Sequence, residues 1–136
     1  MKIERIGEMA FHVKTLSGHD VHLDGNEKVG GKDSGARPME LVLVSLMGCT
    51  SMDVVSILRK MKVTDYKYYM EVESEKSDEH PKVFTKIHLT YNFTGKNLPK
   101  DKIEKAVELS QDKYCSVSAM LRATVDLSYD INYVEK

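Results

Sequence analysis

The chain has 136 residues, 41% hydrophobic and 30% charged, with a formal net charge of −1. That length suits a single domain spanning residues 1–136, burying about two-thirds of the surface its unfolded chain exposes. The balanced charge argues against nucleic acid or an anionic membrane as partner, and two cysteines are too few for a secreted disulfide scaffold.

The N-terminus, Met1-Lys2-Ile3-Glu4, alternates and lacks the apolar core of a signal peptide. With the cysteine count, this leads us to expect a cytoplasmic protein. Met9, Phe11 and Val13 alternate with Ala10, His12 and Lys14, the period of a half-buried strand. Val21 and Leu23 resume it beyond a Ser17-Gly18 turn, predicting a hairpin. The run Gly25 to Gly35 is loop chemistry and predicts a mobile connection. Its adjacent glycines, Gly30 and Gly31, belong to neither GxxxxGK[ST] nor GxGxxG, so no nucleotide cradle is expected.

Pro38 suits a first helical position, and the helix it opens is predicted to reach Met61. Leu41, Val42, Leu43, Val44, Leu46, Met47, Met52, Val54, Val55, Ile57 and Leu58 make it apolar on several faces, as expected of a helix buried in a core or an interface. At about 24 residues it would be roughly 36 Å long, so a second subunit is expected to help cover it. Its longest apolar run, Leu41 to Leu46, is broken by Ser45 and falls short of the roughly 20 residues a bilayer span needs.

Strand alternation returns at Tyr66, Tyr68, Met70 and Val72, then at Val83, Ile87, Leu89, Tyr91 and Phe93, with a polar turn expected from Ser74 to Pro81. Most of the seven tyrosines are assigned to the strand core. A helix is predicted over Leu98 to Tyr114, with Pro99 opening it and Ile103, Ala106, Val107 and Ser110 facing inward. A short helix, Ser116 to Ala123, and a final strand with Val125, Leu127, Tyr129, Ile131 and Tyr133 complete an α+β order.

The residues best suited to chemistry are Cys49 and Cys115. Gly48 beside Cys49 would let a ligand or a second backbone approach. Ser45 and Asp53 lie one turn to either side on its helix face. A carboxylate there disfavours a thiolate, so a reactive Cys49 calls for a cation from elsewhere. Cys115 precedes Ser116, a candidate cap for the short helix. Either thiol could be a small packed core residue. Together they could instead form a redox pair, one oxidised and the other resolving it. A metal site is not expected: His19 and His22 fall on opposite strand faces, and His12 and His88 read as solvated.

Pro38-Met39-Glu40-Leu41, then Gly48-Cys49, then Asp53-Val54-Val55-Ser56-Ile57-Leu58, then Tyr114-Cys115-Ser116-Val117 resemble the OsmC/Ohr family in residues, separation and element order, over essentially the whole chain. The resemblance implies an OsmC-like fold, with antiparallel sheets around a long buried central helix, in an intertwined homodimer with sites at its interface. It implies a peroxidase in oxidative stress defence, with Cys49 reducing organic hydroperoxides, Cys115 resolving, an external dithiol as reductant and no cofactor. The family places a Glu directly after the helix-opening Pro, where it holds a hairpin Arg beside the thiolate; here that position is Met39, the carboxylate is Glu40, and the hairpin carries His19. The candidate thiolate partners are therefore Arg37, Arg122 and Glu40. Two readings stand beside the peroxidase: a non-enzymatic binder of a hydrophobic small molecule, and a thiol redox sensor.

Overall fold

A computed structural model describes the whole chain, residues 1–136. The elements are β1 (Lys2–Arg5), β2 (Phe11–Lys14), β3 (Asp20–Leu23), α1 (Pro38–Lys60), β4 (Lys67–Lys76), β5 (Phe84–Gly95), α2 (Lys100–Leu109), α3 (Ser116–Arg122) and β6 (Asp126–Glu135). They fall into two compact units, Met1–Val44 and Ser45–Lys136, with the boundary inside α1.

The first unit is an antiparallel sheet in the order β1-β2-β3. The expected hairpin is β2–β3: Val13 opposes Val21, and Gly18 takes the left-handed conformation (φ 87°) that favours glycine in the turn. Strand β1 covers the alternating Lys2–Arg5 segment; its four residues are all exposed, so it leaves no buried stripe in the sequence. The glycine-rich run is locally ordered by turns and side-chain hydrogen bonds. A 3₁₀ turn, Glu27–Val29, starts at Asn26, whose side chain accepts from the Val29 N–H. The buried Asp24 carboxylate gathers the rest, accepting from the N–H groups of Gly25, Lys32 and Ser34 and from the Ser34 hydroxyl at 2.6 Å. Those hydrogen bonds, the Ser34 hydroxyl first among them, pull its carboxyl down to about 2.

At the start of α1, the Glu40 carboxylate reaches back to accept from the Arg37 N–H at 3.0 Å, half of a capping box. Beyond the unit boundary the helix buries Leu46, Thr50, Val54 and Leu58, one residue per turn along a single stripe. Within one chain the rest of the helix is not covered: Val44 is 58% and Met52 76% exposed, the side for which a second subunit was expected. The membrane argument from the short apolar run also needs revision. By length and composition α1 is apolar enough to cross a bilayer, with a mean hydropathy of 2.0, because Gly48, Thr50 and Ser51 break the run with little polarity.

The second unit's sheet has the order β4-β5-β6. Strands β4 and β5 are antiparallel, with Tyr68 opposite Phe93 and Val72 opposite Leu89. Strand β4 continues to Lys76, beyond the expected start of the turn at Ser74. Strands β5 and β6 run parallel, with Ile87 beside Leu127 and Tyr91 beside Ile131. This corrects the expectation of antiparallel sheets only. A parallel neighbour needs a crossover, here supplied by α2, a π-helical turn at Ser110–Tyr114 and α3. Leu89, Tyr91, Phe93, Ile103, Ala106 and Val107 are core residues with almost no exposure. Tyr69, Tyr114 and Tyr129 leave the core, being at least 38% exposed.

Candidate functional site

Cys49 lies mid-way along α1 and Cys115 at the entrance to α3. The fold brings them together: the two sulfurs and a carboxylate oxygen of Asp53 all lie within 4.8 Å of one another. Cys49 and Asp53 are one turn apart on α1, as their spacing predicted, and both are partly exposed, whereas Cys115 is 2% exposed. Both thiols are free. A side chain added at Gly48 would meet no atom of the chain within 4 Å, so the space beside Cys49 on that side is open.

The π-helical turn delivers Cys115. Its closing hydrogen bond runs from the Cys115 N–H to the Ser110 carbonyl at 2.7 Å. Sequence periodicity had carried one helix straight through to Tyr114 and assigned the cap of α3 to Ser116. Instead Cys115 itself caps α3, its sulfur accepting from the Ser118 N–H at 3.4 Å, and Ser116 is already helical. Burial pushes the Cys115 thiol up; the Ser118 hydroxyl and N–H pull it down, and the Cys49 sulfur raises it further. The net direction is upward, so Cys115 holds its proton more tightly than an ordinary thiol. The Ser118 hydroxyl is buried and makes no hydrogen bond of ordinary geometry, so the Ser118 N–H is the firmer of the two contacts to the Cys115 sulfur.

A polar network joins the helix, the sheet and the π turn. Thr50 Oγ1 lies 2.6 Å from the Tyr91 hydroxyl and 2.8 Å from Ser110 Oγ. Ser110 Oγ donates to Asp53 Oδ2 at 3.0 Å. Gln111 Nε2 donates to the Tyr91 hydroxyl at 2.7 Å and to Thr50 Oγ1 at 3.2 Å. Thr50, Ser110 and Gln111 are buried with their polar groups paired, so the network fixes one geometry for the turn. Sequence reasoning missed Thr50, Tyr91 and Gln111 as site-builders. The available signal was a Gln one residue beyond the inward stripe of α2.

The candidate thiolate partners are engaged elsewhere. The Arg37 guanidinium pairs with Asp33 at 2.7 Å and donates to the Gly35 carbonyl, within the first unit. Glu40 serves the helix start. Arg122 donates to the Gln111 backbone carbonyl at 2.9 Å and to its side-chain oxygen at 3.1 Å, so its role here is to clamp the π turn. The histidines are also occupied: His12 pairs with Asp20 at 2.7 Å, and His88 meets Ser128 and Asp130.

Asp53 also lines a cavity of about 430 Å³, together with Ile57, Met61, Leu109 and Tyr114. Ser56 and Lys60 give it polar points. The thiol pair and a mostly apolar recess thus share one side chain.

A family model described as OsmC-like protein matches residues 31–130. Protein YhfA of Escherichia coli K12 is 35% identical over 133 residues, covering 98% of this chain and 96% of that one. Among solved structures, a hypothetical protein from Aquifex aeolicus superposes with a TM-score of 0.79 at 30% identity, over 97% of this chain and 94% of the other. An organic hydroperoxide resistance protein OsmC from Legionella pneumophila superposes with a TM-score of 0.70 over 96% and 95%, at 19% identity, a likeness of fold.

Proposed function

The chain belongs to the OsmC-like protein family, and on that premise we propose that it is a thiol peroxidase that reduces organic hydroperoxides in oxidative stress defence. The observation that carries the reading is the approach of Cys49 and Cys115, whose sulfurs lie within 4.8 Å of each other with Cys49 the more accessible. Cys49, as thiolate, attacks the outer peroxide oxygen; the O–O bond breaks, the alkoxide leaves as an alcohol, and the sulfur becomes a sulfenic acid. Cys115 then attacks that sulfur, and the hydroxyl leaves as water while the disulfide forms. An external dithiol returns two electrons and two protons. The apolar recess sharing Asp53 supports a bulky organic peroxide as substrate.

The active form is a homodimer in the cytoplasm. Its support is the exposed apolar side of α1, including Met52 at 76% exposure, and the two free thiols, which suit a reducing compartment. A second reading, a slow redox sensor, is favoured by one observation: the Arg37 and Arg122 guanidiniums are already engaged, with Asp33 and with Gln111.

The experiment treats reduced protein with one equivalent of cumene hydroperoxide and maps its thiols by mass spectrometry. A Cys49–Cys115 disulfide is expected, with peroxide consumption abolished in Cys49→Ser. Both thiols still free would sink the redox reading. A disulfide that no dithiol returns to thiols at a useful rate identifies the sensor.

A further inference from the structure

The geometry points to a second use of the same corner: we propose that Cys49, Cys115 and Asp53 form a binding site for a soft or borderline divalent cation of the zinc class. Their three donor atoms lie within 4.8 Å of one another. A zinc ion held tetrahedrally by thiolates at about 2.3 Å needs its sulfurs roughly 3.8 Å apart, so only small side-chain adjustments are required. Two sulfurs and one carboxylate select zinc-like ions over Mg²⁺ or Ca²⁺, which call for oxygen ligands.

The surroundings are those of a supported site. Ser110 Oγ donates to Asp53 Oδ2 at 3.0 Å, which fixes the orientation of the carboxylate beside the thiols. The Ser118 N–H donates to the Cys115 sulfur at 3.4 Å, which stabilises a metal-bound thiolate. Cys49 and Asp53 are partly exposed, giving the ion an entry path and leaving the fourth position to water. Binding exchanges the two thiol protons, released to solvent, for one cation, with no change of oxidation state. A disulfide consumes both sulfur donors, so metal and disulfide exclude each other, and the bound ion holds the pair reduced. This inference rests on the donor geometry alone and does not require peroxide turnover.

The test is an anaerobic titration of the reduced, full-length protein with Co²⁺, then displacement by Zn²⁺. Tetrahedral cobalt bands with thiolate charge transfer, saturating at one ion per chain and erased by zinc, are expected. Cys49→Ser should abolish them. Asp53→Asn should weaken binding more than tenfold, and Ser110→Ala, which keeps all three ligands, by about tenfold. Absence of the tetrahedral bands overturns the proposal, as does their persistence at full strength in Asp53→Asn or in the disulfide form. No peroxide enters this titration, so its failure and that of the peroxidase assay are separately readable.

Discussion

The Gln111 side-chain amide donates to the Tyr91 hydroxyl at 2.7 Å, and through that contact the π turn before Cys115 is tied to the middle of strand β5. Burial pushes the Tyr91 phenol well above its ordinary range, so it stays neutral and can both donate and accept.

Tyr91→Phe removes that junction and leaves Gln111 and Thr50 buried with one partner fewer. We expect a loss of about 1–3 kcal/mol in urea unfolding. Thr50→Val should interact with it non-additively in a double-mutant cycle, since both belong to one network. Full additivity would mean that the network does not act as a unit.

Arg122→Ala releases the clamp on Gln111. The expected outcome is slower Cys49–Cys115 disulfide formation, followed by quenched alkylation, with a stability loss of about 1–2 kcal/mol. Arg122→Lys should fall between, because an ammonium cannot present the guanidinium fork to two oxygens at once. An unchanged rate in a well-folded Arg122→Ala would remove the positioning role.

Ser118→Ala deletes the hydroxyl that pulls the Cys115 thiol down and keeps the N–H that caps. The midpoint of Cys115 alkylation should therefore move to higher pH. For stability the sign follows from the raised pKa: the folded state keeps its proton beyond the ordinary thiol value of 9.0. The folded form is thus fully favoured below that pH and loses stability as pH climbs through the raised value. Denaturant titrations between neutral pH and pH 10, on wild type and Ser118→Ala, read both effects.

Asp24 carries the opposite sign. Its carboxyl is held down to about 2 in the folded chain against an ordinary 3.8. The stabilisation is present above about pH 4 and is lost as pH falls toward 2. Asp24→Asn should be less stable than wild type at neutral pH and should lack this part of the acid transition. Amide exchange at Lys32 and Ser34, whose N–H groups bond to Asp24, is the local readout.

The long helix, the β2–β3 hairpin, the inward stripe of α2 and the Cys49–Asp53 face were legible because each rests on local periodicity. The site's remaining parts were not, because their partners lie far away along the chain. Thr50 meets Tyr91 and Ser110 only after the second unit has folded, and neither pairing leaves a spacing signal. The π turn was hidden for a related reason: Ser110 and Gln111 continue a plausible helical face, and only the closing bond to Cys115 distinguishes the wider turn. Arg37 and Arg122 were singled out for their charge, yet charge alone did not say which oxygen each would meet. Asp24 was overlooked because a single acid before a glycine-rich run looks like any loop residue until four donors converge on it.

The parallel pairing of β5 and β6 has a consequence for biosynthesis. Lys86 partners Asp126 at one end of the ladder and Gly95 partners Glu135 at the other. The chain between the two strands, including all of the Cys115 segment, therefore lies inside a loop that closes only when β6 pairs. Until then the Cys115 segment is held to this sheet only at its β5 end. Such long-range closure is slow relative to hairpin formation. The thiol pair is thus assembled by one of the late events of folding, and truncation within β6 should release Cys115 to alkylation while leaving the β2–β3 hairpin formed.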